Sequence, residues 1–438
     1  MQKKLIALAI AGLSGAAFAQ SNVTIYGVMD ASFENAKASG ATDNGVAAAL
    51  AGQEVNAASR SRVNSNSSYI GFKGAESLGN GLTAVFQIET TVTADGGAAA
   101  PTVGGAGTSL TSARDTYMGI AGGFGTAAIG YLSTPYRSTM ASFDVMPGAT
   151  GAGASFGVMG RINVGAVLAP LTNGVNTGND FATAGNNVNI VTRQTAIAYI
   201  TPTFNGLSGV IAYVPNELKQ NAANNTTVVP NTASSLNPDA WNLAINYANG
   251  PLKVAYSYLT ADDQGVNLGA AATRTGAEKH KAHLFGASYV FGGATTVSGM
   301  YENFKGNVGL TAAGAAALGT SNLQADRNAW YVGVKHVMGA HEFAAAYGRA
   351  NDMKSNRTLA AGATVGDSGA SQFSLRYGYN FSKRTQVYGL YSKISNKSNG
   401  NYDFGTVGAA AAVGGVAAAP VTAGADPQVM GIGMRHSF

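Results

Sequence analysis

A chain of 438 residues with a formal net charge of +5 and no cysteine is long enough for a large fold, and no disulfide can hold that fold together. Only 11% of its residues are charged while 59 are glycine, a balance that suits strands and turns but also low-complexity sequence. The basic residues are spread out rather than clustered, which excludes nucleic acid as the expected partner.

The chain opens Met1-Gln2-Lys3-Lys4, runs through an apolar stretch from Leu5 to Leu13, and reaches Ala17-Phe18-Ala19 before Gln20. A basic start, a short apolar core and a small-x-small site describe a secretory signal peptide. The stretch is too short for a spanning helix, which needs ~20 residues. Residues 1–19 are therefore expected to be removed, leaving an exported chain of residues 20–438. Its formal charge falls to +3, because Lys3 and Lys4 are the only charges removed. No later apolar run reaches helix-spanning length, and no long helical pattern is visible.

From there on, segments with an apolar-polar period of two recur to the end. Leu82 to Glu89 alternates, and so does Leu252 to Tyr258. Trp241-Asn242-Leu243-Ala244-Ile245-Asn246-Tyr247 puts Trp, Leu, Ile and Tyr on one face. Gln372 to Phe381 puts Phe373, Leu375, Tyr377, Tyr379 and Phe381 on one face, with Gln372, Ser374, Arg376, Gly378 and Asn380 on the other. Too many small polar and charged residues share the second face for a filled core, so apolar side chains facing lipid and polar ones facing a watery lumen is the better reading.

Connections between these segments alternate in length. Short turns are expected at Leu78-Gly79-Asn80-Gly81, Gly122-Gly123-Phe124-Gly125, Thr201 to Gly206, Asn249-Gly250-Pro251, Gly292-Gly293, Gly339-Ala340 and Ser382-Lys383. Long stretches rich in Ala, Gly, Asn and Thr separate them, among them Asn35 to Ser59, Ala94 to Thr111, Ser133 to Asn189, Glu217 to Pro238 and Lys397 to Asp426. Seven turns and eight long loops predict an all-β fold, a transmembrane antiparallel β-barrel of about 16 strands. The last segment, Met430 to Phe438, is apolar at every second position counted back from Phe438, as a closing strand facing lipid would be.

These segments resemble the Gram-negative general porins, especially the β-proteobacterial and neisserial type. The resemblance rests on Val23-Thr24-Ile25-Tyr26-Gly27-Val28-Met29-Asp30, on Ile70 to Glu89, on Tyr117 to Gly130 with its Gly-Phe-Gly-Thr turn, and on the ending Arg435-His436-Ser437-Phe438. It covers nearly the whole mature chain. It implies a homotrimer in the cell outer membrane, inserted by the β-barrel assembly machinery, which would read the terminal Phe438. It also implies a third loop folded into the lumen as a constriction, within Ser133 to Asp144, where Arg137 is a candidate. Glu89 and Asp144 match acidic positions of that constriction, and Arg114 matches an arginine. Alternation independently turns Glu89 inward. It does not do so for Arg114, which shares its side with Met118 and Ile120. Tyr69 and Tyr131 stand where many relatives carry arginine, and either Thr192 or Arg193 could supply a further basic position. The expected aperture is therefore weakly selective.

Alternation also nominates Asp30, Lys73, Lys335, Arg376 and Arg435 as lumen-facing. The expected function is passive diffusion of small hydrophilic solutes and ions, with outer-membrane lipid and lipopolysaccharide as surroundings. A substrate-specific channel would need an aromatic track in the lumen, and a surface adhesin would need its long loops to hold partners. An enzyme is not expected: no nucleophile elbow or phosphate loop occurs, and Glu89 with Asp144 reads as pore lining rather than a catalytic pair. No metal or cofactor is expected either, since His280 and His283, three apart on a strand, face opposite ways.

Overall fold

The computed structural model describes residues 22–42, 56–92, 110–146, 151–163, 187–217, 239–262, 279–309, 322–354, 366–404, 421 and 423–438. The expected signal peptide and much of the expected long loops lie outside these residues.

The sheet's nineteen strand segments form sixteen strands, because three strands are interrupted by two or three residues. In order they are β1 (Asn22–Ser39), β2 (Ala57–Ser65 continued by Tyr69–Gly79), β3 (Leu82–Val92), β4 (Leu110–Ala113 continued by Thr116–Gly122) and β5 (Gly125–Ser133). After a long excursion come β6 (Arg193–Ile200), β7 (Leu207–Val214), β8 (Ala240–Asn249), β9 (Leu252–Asp262), β10 (Lys279–Phe291) and β11 (Thr295–Gly309). The circuit ends with β12 (Asn322–Gln324 continued by Arg327–Met338), β13 (His341–Ala350), β14 (Ala370–Asn380), β15 (Thr385–Asn396) and β16 (Asp426–Ser437). Each strand pairs antiparallel with the next, and β1 pairs with β16 from Val28↔Ser437 to Ser39↔Asp426. The ring is closed, so no sheet edge is left unpaired in the membrane, where an unpaired backbone would be costly.

All seven expected turns join strands at one end of the barrel. Three of them contain Asn-Gly, and in two of these both residues have positive φ: 51° and 76° at Asn80 and Gly81, 47° and 83° at Asn205 and Gly206. Two successive positive φ values make a type I′ turn, whose twist matches that of the flanking strands, and Asn-Gly tolerates it best. The expected loop Asn35 to Ser59 is shorter at both ends, since β1 runs to Ser39 and β2 begins at Ala57. The reason is polar rather than apolar: Glu34 accepts Arg62 at 3.0 Å and Asn64 at 3.3 Å, which extends strand pairing into the loop region.

The alternation sorts lipid from lumen. Ile129, Ile197, Ile245, Leu375, Met430 and Ile432 are exposed on the outer face. Inward, the wall is lined by small residues such as Ala196, Ala198, Ala212, Ala255, Ala282, Ala329, Ala344 and Ala346, all buried. Their small volume leaves room for the segment between β5 and β6. That segment begins with α1 (Pro135–Phe143), started by Thr134, whose hydroxyl accepts the Arg137 N–H, and by a proline in the first turn. Tyr136, Thr139, Met140 and Phe143 form its buried stripe, which packs on the inner side of β7 to β11.

Candidate functional site

Beyond α1 the segment follows the wall around the ring. The Phe143 ring covers Gly286 of β10, where no side chain would fit, and the Phe143 carbonyl accepts the Ser298 hydroxyl of β11 at 2.6 Å. Val145 lies against Gly333 of β12, and its N–H meets the Tyr331 hydroxyl at 3.1 Å. Val158 lies against Gly348 of β13. The Gln372 amide of β14 donates to the Ala152 and Ala154 carbonyls, both at 3.0 Å. A short ribbon follows, pairing Arg161–Asn163 with Asn187–Asn189.

One ion pair holds several parts of this path at once. Glu302 on β11 and Arg327 on β12 form a salt bridge with side chains 0% and 1% exposed. Glu302 also accepts the Tyr136 hydroxyl at 3.0 Å and the Gly160 N–H at 2.9 Å. Arg327 donates to the Val158 carbonyl at 2.9 Å and to the Tyr402 hydroxyl at 3.2 Å. Arg161 donates to the backbone carbonyl of Asp403, so the segment after β15 is tied to the one after β5. Buried charges are tolerated when paired and hydrogen-bonded; here the bonds reach both segments, while the Nε of Arg161 and of Arg327 stays without a partner among the described residues.

On the opposite part of the wall, a charged group gathers around Glu89. Its carboxylate accepts the Tyr26 hydroxyl at 2.9 Å and pairs with Arg114 at 3.3 Å. The Arg114 guanidinium lies 4.5 Å from the Tyr69 ring centroid, and Lys73 lies 4.9 Å from that of Tyr26. Tyr26 can lie flat because its cross-strand partner is Gly71, where a Cβ would collide with the ring. Arg114 is inward despite its alternation with Met118 and Ile120. Thr90 pairs with Ala113 but Gln87 with Tyr117, so one extra residue sits in β4 between those pairs. That bulge flips the side on which Arg114 emerges.

Next to it, Asp115 accepts Arg193 at 3.1 Å and the Ser133 hydroxyl at 3.0 Å. Arg137 on α1 donates to the Val191 carbonyl at 3.0 Å. Burial first, and then the charge of Arg193, hold its pKa down at about 10, so it stays charged at neutral pH. Tyr131 is half-buried and close enough to be felt by Arg137. Arg114, Arg137 and Arg193 thus sit together, with Glu89 and Asp115 as the neighbouring carboxylates. Sequence reasoning left Arg193 undecided and missed Asp115, Glu302, Arg327 and Arg161. Glu302 alternates with Val297 and Tyr301 and shares its parity with Ser298, a pattern that could have marked it as inward.

Asp144 is not in that group. Its carboxylate accepts the Ser155 N–H at 2.7 Å, the Met146 N–H at 2.9 Å and the Tyr331 hydroxyl at 3.1 Å, so it serves the loop's own backbone beside β12. Burial raises its pKa, against the lowering effect of these bonds. Of the other inward candidates, Asp30 accepts the Tyr388 hydroxyl at 2.6 Å and pairs with Arg435 at 3.0 Å. Arg376 pairs with Glu342 at 2.9 Å and stacks on Tyr388 at 4.4 Å. Lys335 shares the inner face of β12 with Tyr331 and Gly333. Phe438 closes the seam on the outer face, its N–H donating to the Gly27 carbonyl at 3.1 Å.

A family model described as Gram-negative porin matches residues 5–401. Outer membrane porin protein 32 of Delftia acidovorans is 29% identical across the full length of both chains. Major outer membrane protein P.IA of Neisseria meningitidis serogroup B is 25% identical over 62% of this chain and 64% of its own. Among solved structures, an anion-selective porin from Comamonas acidovorans superposes with a TM-score of 0.62 at 24% identity, covering 96% of this chain and all of the other. A trimer form of OmpT from Vibrio cholerae superposes with a TM-score of 0.55 at 14% identity, over 95% of this chain and 99% of the other.

Proposed function

This chain belongs to the Gram-negative porin family, and on that premise we propose how its diffusion channel selects among solutes. It is an outer-membrane porin, a passive path for small hydrophilic solutes and ions, and its relatives are channels rather than enzymes. We take the segment between β5 and β6 as the part that narrows the lumen, and the group around Glu89 as the charge that ions meet there. The observation that carries this is the gathering of Arg114, Arg137 and Arg193 on one side, with Glu89 and Asp115 as the carboxylates that balance them among the described residues. The excess is positive even with Tyr69 and Tyr131 in place of arginines, so a moderate anion preference replaces the weak selectivity expected from sequence. The anion selectivity of the Comamonas relative agrees with this reading.

The long-loop end would face the cell exterior and the short turns the periplasm. Three copies would assemble as a trimer, as the Vibrio relative does in one of its forms. Removal of residues 1–19, insertion by the assembly machinery and contact with lipopolysaccharide belong to the same proposal. Charge in a narrow aperture acts over the Debye length, ~8 Å at physiological salt. Reversal potentials across planar bilayers under a salt gradient test the assignment. Arg193→Gln should shift the potential toward cations and Glu89→Gln toward anions, both less at high salt, whereas Asp144→Asn should move it little. No shift from either Arg193→Gln or Glu89→Gln at low salt would remove the constriction from this wall.

A further inference from the structure

Two inward tyrosines stand beside Glu89, and each already holds a cation. Tyr26 and Tyr69 meet edge to face, with ring centroids 6.2 Å apart. Lys73 lies over the first ring and Arg114 over the second, at 4.9 and 4.5 Å. A third tyrosine, Tyr117, lies opposite Gln87 on β3, next to the outward Met118. Among the described residues no cation is stacked on its ring.

Arg114 meets Glu89 by one bond where two are the stronger arrangement. A guanidinium and a carboxylate in contact favour two parallel hydrogen bonds. Here Arg114 Nε reaches Glu89 Oε2 at 3.3 Å, and among the described residues the two terminal nitrogens of the arginine have no partner. The backbones are already close, since the Arg114 N–H donates to the Glu89 carbonyl at 3.2 Å. Two contacts stand against the second bond. The Tyr69 ring fixes the plane of the guanidinium. Glu89 Oε1 is taken by the Tyr26 hydroxyl at 2.9 Å and by the Gln87 amide at 3.3 Å.

We propose that Tyr69, assisted by Tyr26, is a specificity-determining residue of the channel: an uncharged side chain that sets the anion preference by holding Arg114 short of full pairing with Glu89. This deepens the reading above and rests on it, because ions must meet the charge around Glu89. A closed, two-bonded pair would turn both sets of polar atoms toward each other and leave the lumen a compact dipole. The stacked, singly bonded arginine instead keeps its terminal N–H groups, the planar fork that suits anions, open to an ion in transit. Attraction between the guanidinium and the ring face keeps it there.

The test is the anion-to-cation permeability ratio of the full barrel, from reversal potentials in planar bilayers under a dilute potassium chloride gradient. Tyr69→Leu should lower the ratio by up to about fivefold, the population shift that loss of one exposed cation–π contact allows, and Tyr69→Phe should restore it. Tyr26→Phe keeps every ring and should lower the ratio too, because Glu89 Oε1 is then freed for the arginine. Tyr117→Leu removes as much side chain from the same wall and should leave the ratio where it is, which separates the effect from a wider aperture. With Glu89→Gln in the background, Tyr69→Leu should have no further effect, since the arginine then has no carboxylate to close onto; such non-additivity marks residues that act together. An unchanged ratio in Tyr69→Leu overturns the proposal, and so does one in Tyr26→Phe where the leucine variant fails to refold. An equal fall in Tyr117→Leu, or the same loss with and without Glu89, overturns it as well. If Glu89→Gln and Arg193→Gln shift the potential in those cases, the constriction stands and this inference alone is lost; if they do not, both fall.

Discussion

Replacing Arg327 with methionine probes how the inner segment is held. Arg327 and Glu302 are both sealed from solvent, and three groups depend on the arginine: the Glu302 carboxylate, the Val158 carbonyl and the Tyr402 hydroxyl. In Arg327→Met the carboxylate keeps only the Tyr136 hydroxyl and the Gly160 N–H. Breaking one partner of a buried pair leaves an uncompensated charge and costs about 3–5 kcal/mol. Removing both in Arg327→Met/Glu302→Met should cost far less, since apolar replacements of buried ion pairs are often near neutral. The expected coupling, about 2–4 kcal/mol, is large for a pair in contact. Urea titrations of barrels refolded into lipid vesicles measure it, and single-channel recordings should show noisier, larger openings for Arg327→Met as the inner segment loosens. A single substitution costing less than about 1 kcal/mol, or a double one as costly as the single, would refute the view that this pair anchors the segment.

Protein extracted from membranes should begin at Gln20, and N-terminal sequencing that found Met1 would contradict the proposed signal peptide. A chain ending at Ser437 should give a reduced yield of heat-modifiable barrel in cells; its lost aromatic is 41% exposed on the lipid side and bonded to Gly27, and normal assembly would count against Phe438 as a signal. Ile245→Arg or Leu375→Arg should cost ~2–4 kcal/mol near the bilayer midplane, and Ser288→Arg, inward and half-buried, much less. Similar losses on the two faces in refolding titrations would reverse the assignment of inside and outside.

The sheet was legible because its signals are local. Turn chemistry such as Asn80-Gly81 and the two-residue alternation act on neighbours in sequence, and together they specify strand count and sidedness. Features that depend on residues far apart were not legible. Nothing near Arg114 announces a bulge, because the extra residue shows only against the register of β3. Tyr136 meets Glu302 across 166 residues and Tyr402 meets Arg327 across 75, so no local spacing betrays them. Asp144 is a candidate through the resemblance alone, which matches it to an acidic position of the constriction; the chain's own Ser155 and Met146 amides bond it here. Ser374 is inward as alternation says, yet at 1% exposure it is sealed beneath the inner segment and no longer part of an open lumen. The expected loop positions survived in outline, but the course of a loop along a wall is set by the shape of that wall.

The seam between β1 and β16 has a consequence for the order of events in assembly. Neighbouring strands elsewhere follow one another directly along the chain, across a turn or a loop, and can pair as soon as both exist. The closing pair joins residues near opposite ends of the chain, a loop closure of the greatest possible span, and such pairings are the slowest to form. Until β16 has arrived, β1 presents its outer edge as an open template for any other strand. An intermediate with β1 to β15 in place is therefore the species most exposed to mispairing, and whatever shields that edge governs the yield more than the stability of the finished ring does.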